Sequence, residues 1–158
     1  MGADGTPVPA PADLLRELLD RVADALDLEA SVEVVEDDEC LTGSLEGDDL
    51  GLFIGRHGTT IDAVQHLAQR IVFAGQRAEK GVVIDAAGYR DRRRAALQAQ
   101  ADEAAEEALR YGRAVSLDAM TAGERRLVHE YLRDRGGVQT YSEGTEPDRH
   151  LVVAPAVA

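Results

Sequence analysis

Residues 51–72, GLFIGRHGTTIDAVQHLAQRIV, form the stretch of this 158-residue chain best suited to gripping a ligand. Gly55 and Gly58 stand three apart, so the backbone there can approach a ligand with no Cβ in the way. The helical pattern that follows presents unpaired N–H groups and the positive end of its dipole, which together suit a phosphate. Arg56 puts a fixed positive charge between the glycines, and His57 adds a donor whose charge grows below neutral pH. A glycine turn between helices also arises for purely structural reasons, so its flanks matter: an apolar turn (Leu52, Phe53, Ile54) precedes it and an amphipathic stretch follows. A second group lies in residues 124–129, Glu-Arg-Arg-Leu-Val-His. Arg125 and His129 are four apart, hence neighbours on one helix face, and offer planar donors to a phosphate or a base. Arg126 reads as an ordinary surface residue paired with Glu124, Glu130 or Glu146.

The other chemistry-bearing residues are poorer. Cys40, His57 and His66 lack any metal-ligand spacing, and His66 suits a helix surface, so no metal site is expected. The acidic run Glu36, Asp37, Asp38, Glu39 supplies carboxylates without a nucleophile or a paired acid and reads as a solvated turn; no catalytic residue and no cofactor are expected. Tyr89, Tyr111, Tyr131 and Tyr141 are assigned to core and interface packing. The lone Cys40 reads as a small buried side chain in a reducing compartment.

A succession of short elements must position these residues. Residues 1–10, with two prolines and two glycines, read as a disordered lead-in. Leu15, Leu18, Leu19, Val22 and Leu26 recur at helical spacing over residues 11–28. Residues 31–35 and 40–45 are β-prone and flank the acidic turn, as the arms of a hairpin do. One helical turn over residues 49–54 leads into the glycine loop. Thr59 then stands where an N-cap belongs, with Asp62 three residues on, and Ile61, Val64, Ala68 and Ile71 form the buried stripe of a helix over residues 59–73. Val82, Val83 and Ile84 supply a strand buried on both faces. An alanine-rich helix over residues 89–110 is opened by Arg90, Arg92, Arg93 and Arg94 and carries Leu97, Ala101, Ala105 and Ala108 on one side. Beyond it come a short strand (114–117), a helix (122–133), strands over 138–142 and 150–153, and a tail over 154–158. The expected class is α+β: two small domains, residues 11–88 and 89–153, joined by the long helix.

Composition narrows the function classes. With 44% hydrophobic and 30% charged residues the chain is globular, and no apolar run nears the ~20 residues needed to cross a bilayer, so no membrane insertion is expected. Its N-terminus lacks a basic stretch followed by an apolar segment, which places it in the cytoplasm. The net charge of −13 is unevenly spread: residues 1–50 hold 15 acids and 2 bases, residues 51–100 hold 4 and 8, and residues 101–158 hold 11 and 7. An acidic total opposes indiscriminate polyanion binding, whereas a basic middle third permits selective contact with phosphate.

Residues 11–86 resemble a KH domain in the arrangement helix-strand-strand-helix-helix-strand, with two strands before the glycine loop. In such domains the loop clamps the backbone of about four nucleotides of a single strand. The resemblance implies that Gly55, Arg56, His57 and Gly58 hold the backbone while the bases lie in an apolar groove lined by Ile54, Ile61 and the neighbouring strand. Ordinary core is an equal alternative for both isoleucines. The pattern A-M-T-x-x-E-R-R-L-V-H, followed by T-Y-S-E-G-T-E-P-D-R-H-L-V-V, is similar to an R-three-H domain, helices packed on a small sheet, over residues 90–153. Domains of that family are associated with single-stranded nucleic acids; Arg125 and His129 carry the motif, and Arg149, with His150 more weakly, would extend the same basic surface.

A KH domain followed by a helix opening Y-R-x-R-R-R and an R-three-H domain resembles the organisation of the bacterial Jag family, whose members are also called KhpB. That resemblance implies a non-enzymatic protein that binds single-stranded RNA, with single-stranded DNA as the related ligand, and acts post-transcriptionally. It implies a heterodimer with a small single-KH protein and a link to cell elongation and envelope synthesis. The chain departs from the family in lacking an extra N-terminal domain, in carrying His57 where a second basic residue is common, and in its acidity; the last two imply weaker RNA affinity. The alternative function is a protein-interaction adaptor associated with membrane-protein insertion, in which the acidic first third binds a basic partner and RNA contact is incidental.

Overall fold

The structure, a computed structural model, describes residues 7–74 and 80–157. Most of the expected lead-in, residues 1–6, and the last residue of the expected tail lie outside the described residues, while residues 7–10 are exposed and without regular structure. The chain divides after Arg90 into two compact units.

In the first unit, α1 (Pro11–Ala25) begins on a proline and buries Leu15, Leu19 and Ala23. They pack on an antiparallel hairpin of β1 (Ala30–Glu36) and β2 (Cys40–Gly47). The acidic run between these strands is a built turn rather than a merely solvated one. The Asp37 carboxylate accepts the N–H of Cys40 (2.7 Å) and of Glu39 (2.8 Å), and these bonds, the first above all, hold its carboxyl below the ordinary carboxylate range. Lys80 closes the turn by donating to Glu36 Oε1 (2.9 Å) and Asp37 O (2.6 Å). Cys40, beside it, is half-buried.

After α2 (Gly51–Ile54) and a 3-10 turn over Arg56–Gly58, α3 (Thr59–Val72) leads to β3 (Gly81–Ala86), which lies parallel to β2 at the edge of a sheet ordered β1-β2-β3. Three expectations are corrected here. Thr59 is not the cap of α3: Gly58, at φ 77°, holds that position, Thr59 is already helical, and no side chain caps the helix. The buried stripe ends on Val72 rather than Ile71, which is 41% exposed, because the step back to the core from Ala68 is four residues and not three. In β3 the side chains alternate, burying Val82, Ile84 and Ala86 and leaving Val83 36% exposed, so the strand is covered on one face only.

The second unit holds α4 (Tyr89–Tyr111) from Asp91 onward, β4 (Val115–Ala119), α5 (Ala122–Leu132), β5 (Val138–Glu143) and β6 (His150–Pro155), with an antiparallel sheet ordered β4-β6-β5. Leu97, Ala101, Ala104, Ala105 and Ala108 of α4 are buried, so the long helix is core of this unit and more than a connection. β6 runs on to Pro155, opposite Val138, so Ala154 and Pro155 belong to the sheet and not to a tail. The tyrosines are corrected too. Tyr111, Tyr131 and Tyr141 are exposed, and Tyr89 alone packs against a core. No described helix is long and apolar enough to cross a membrane.

Gly43 sets how closely α1 approaches the first sheet: a Cβ there would lie 2.5 Å from Leu19 Cδ1 and 3.2 Å from Leu15 Cδ2. Gly43→Ala is therefore expected to destabilise the first unit by about 1–3 kcal/mol through overpacking, read as a lowered denaturation midpoint; an unchanged midpoint would mean that α1 does not sit on β2.

Candidate nucleic-acid interface

Gly55, His57 and Gly58 lie at φ 72°, 56° and 77°. Arg56 is helical and His57 left-handed, and that succession turns neighbouring backbone N–H groups toward one concavity able to hold an anion. The Gly58 N–H is spent on Gly55 O (3.2 Å), which leaves the Arg56 and His57 N–H groups for a ligand. Each glycine is dictated by its surroundings as well as by its φ. A Cβ on Gly55 would overlap Thr60, and one on Gly58 would lie 2.9 Å from the Tyr89 hydroxyl. Arg56 is exposed and α3 begins without a capping side chain, so a cation, loop amides and a helix dipole converge on this loop.

The expected groove beside the loop is largely filled. Ile61 is wholly buried in the first core and cannot line a groove, because it is the residue through which α3 packs inward; Ile54 is half-buried against the same core. Leu52, which the sequence placed only in an apolar turn, is the exposed apolar side chain next to the loop. The neighbouring strand is not open either, since side chains of α3 bond its free edge.

In the second unit, α5 is fixed at its start by a capping box. Thr121 Oγ1 accepts the Glu124 N–H (3.3 Å), and Glu124 Oε2 accepts the Thr121 N–H (3.1 Å). Glu124 Oε1 also accepts from Arg93 Nε of α4 (2.7 Å). The next residue overturns an expectation. Arg125 is 8% exposed and spends its guanidinium internally, Nη1 on Met120 O and Nη2 on Glu146 Oε1, both at 2.7 Å. It braces the β5–β6 turn against the start of α5, so two of its five N–H donors are held inside the unit and are not free for a ligand. Arg149 is likewise engaged, donating to Gly144 O (2.8 Å) across the same turn, and the structure does not bring it into the groove that His129 lines.

That groove, of about 350 Å³, is lined by Arg125, Arg126, His129, Thr140, Tyr141, Ser142 and Leu151. His129 is exposed and its Nδ1 is hydrogen-bonded to Thr140 Oγ1, which orients the ring and leaves Nε2 for a ligand. Arg126 pairs with Glu130 Oε1 (2.9 Å), as expected, and holds that carboxyl below its ordinary range. The pair is exposed, and Arg before Glu is the weaker order along a helix, so the guanidinium transfers to a phosphate at little cost. Thr140 and Ser142 sit opposite Val153 and Leu151, on the face that packs on α5, while Tyr141 falls on the other face and is 46% exposed. The two hydroxyl residues escaped the sequence reading; the period-two pattern Val138, Thr140, Ser142 is the signal that finds them. Among the described residues no group of His, Cys, Asp and Glu could hold a metal.

Comparison with known proteins agrees with this division. Residues 12–85 match the family model described as KhpA/KhpB, KH domain, and residues 95–155 match that of the R-three-H domain. The RNA-binding protein KhpB of Clostridium symbiosum is 36% identical over 140 residues, covering 87% of this chain and 63% of that protein. The RNA-binding protein KhpB of Lactiplantibacillus plantarum is 43% identical over 104 residues, covering 66% of this chain and 32% of its own length. That of Bacillus subtilis is 29% identical over 138 residues, covering 86% and 66%. The chain thus spans from 32% to 66% of the length of these relatives.

Bracing and binding separate by mutation. Arg125→Ala should destabilise the second unit by about 2–3 kcal/mol, the cost of two lost charge-assisted hydrogen bonds and a stranded carbonyl, whereas His129→Ala should change stability by less than about 0.5 kcal/mol. Native-state hydrogen exchange of the β6 amides, which belong to the second unit, reads its stability apart from the first. Equal effects of the two substitutions would contradict the brace.

Proposed function

The chain belongs to the KhpB (Jag) family, which joins a KhpA/KhpB-type KH domain to an R-three-H domain, and from that premise we propose that it binds single-stranded RNA through two separate surfaces. One is the glycine loop, Gly55 to Gly58; the other is the groove of His129, Arg126, Thr140 and Ser142. The observation that carries the reading is the helical-then-left-handed pair Arg56 and His57, which turns unspent backbone N–H groups toward one concavity beside an exposed cation, a device for phosphate rather than for a neutral ligand. Arg125 serves this surface chiefly as a brace at its edge, and Arg149 stands outside the groove. The role is non-enzymatic and post-transcriptional, in the cytoplasm; single-stranded DNA fits the same phosphate contacts. The finer role, in cell elongation and envelope synthesis alongside a small single-KH partner, follows from the family resemblance.

Few cations meet the ligand, so the log–log salt dependence of binding should be shallow, with a slope of about −2 to −3 for three or four phosphate contacts on a single strand. Arg56→Asp with His57→Asp should lower affinity for a short single-stranded RNA by at least about tenfold, since like charges replace a cation and a donor at phosphate range. The thermal melt should stay where it is, because Arg56 is exposed and His57 is not part of the core. Fluorescence anisotropy and circular dichroism together decide it: full affinity in a folded variant would make the loop a structural turn.

A further inference from the structure

β3 is an edge strand, yet its free edge is not free. Gln69 accepts the Val82 N–H at Oε1 (2.6 Å) and donates from Nε2 to Lys80 O (3.3 Å). Gln65 Oε1 accepts the Ile84 N–H (2.9 Å). Arg90 donates from Nε to Ile84 O (2.7 Å) and is itself held by Asp62 Oδ1 (2.9 Å) and Gln65 Oε1 (3.0 Å). Four residues of helix rise ~6 Å and two residues of strand ~6.6 Å, so Gln65 and Gln69 meet Ile84 and Val82 in step and stand in for a further strand.

Bases are told apart by the donors and acceptors on their edges, and a strand edge beside a phosphate clamp is a fixed row of matching groups. Here the N–H groups of Val82 and Ile84 and the carbonyls of Lys80 and Ile84 are spent, and Ile61 is buried. What stays exposed at the loop, Arg56 and Leu52, holds any nucleotide alike. We infer that Gln65, Gln69 and Arg90 set the specificity of the first unit by keeping the β3 edge closed, so that it grips the backbone of single-stranded RNA with little preference among bases. This rests on the RNA-binding reading above, and the test separates the two.

The full chain is titrated with oligo(A), oligo(C) and oligo(U) of equal length, and affinity is read from the NMR shifts of the loop amides of residues 55–58, so that the second surface does not enter. Hydrogen exchange of the Val82 and Ile84 amides is followed in parallel. The three affinities should agree within about threefold, whereas one well-made base contact would separate them by about tenfold or more. Both amides should be as protected as those of β2, with RNA or without it. Gln65→Ala with Gln69→Ala should expose both amides and widen the spread beyond about tenfold. Gln65→Glu with Gln69→Glu keeps the acceptors, and should keep the narrow spread while weakening all three oligonucleotides together. A tenfold spread in the unmodified chain, rapid exchange of its Val82 and Ile84 amides, or a narrow spread in an alanine variant with both amides exposed would each overturn the closed edge. Failure of every oligonucleotide to shift the loop amides would instead overturn the RNA reading.

Discussion

The hydrogen bonds from Gln65 and Gln69 to the edge of β3 are the constraint on which the first unit hangs. α3 cannot slide or turn along the strand without breaking both and stranding peptide groups at a part-buried edge, and such groups are costly to leave unpaired. Fixing α3 fixes its N-terminus, where the glycine loop lies. Arg90 bonds the same edge, and its neighbour Tyr89 covers Gly58. A loop that works through backbone groups has little side-chain packing of its own, so its geometry has to be imposed by what surrounds it. One row of hydrogen bonds holds the loop, the helix behind it and the last residue of the unit, Arg90.

The second unit reaches the same end with a different network. Glu124 closes the capping box and takes Arg93 from α4, and Arg125 ties the start of α5 to the β5–β6 turn; His129 is thereby placed one turn further on. Arg90 in the first unit and Arg125 in the second are consumed internally, while Arg56 and Arg126 stand toward solvent. The consumed ones serve a main-chain carbonyl and a carboxylate at once, Ile84 O with Asp62 and Met120 O with Glu146. Only the planar fork of a guanidinium reaches both in fixed geometry, so lysine would not substitute in either place.

This division of labour explains what could and could not be read from the sequence. Apolar periodicity located α1, α3 and α4, and the glycines located the loop, because burial every three or four residues and positive φ leave marks on residue type. Thr59 misled because Gly58 takes the cap position by adopting a left-handed backbone, so the threonine is already inside the helix and its Asp62 is free to bond Arg90. Ile71 and Val72 are equally apolar, and only the helix phase after Ala68 chooses between them. Arg125 has the right type and spacing to bind phosphate; what makes it a brace is Glu146, 21 residues away and brought near by the β5–β6 turn, and no local pattern carries that. Gln65 and Gln69 carry no sequence signal for the same reason: their partners are peptide groups.

Charge then decides what the loop meets. The chain carries −13 overall, concentrated in its first 50 residues. α3 runs antiparallel to β3, since Gln65 pairs with Ile84 and Gln69 with Val82, so the acidic turn clasped by Lys80 lies at one end of α3 and the glycine loop at the other. A helix of 14 residues separates them by ~20 Å. At physiological salt the screening length is ~8 Å, so the turn scarcely weakens a phosphate already held at Arg56, while at low salt it repels a polyanion still approaching. A stiff duplex carries a continuous row of charge past both ends of such a unit, whereas a flexible single strand can bring a few phosphates to the loop and lead the rest away. In the proposed function, discrimination by the first unit is therefore between kinds of strand, set by where the acids sit, and not between bases.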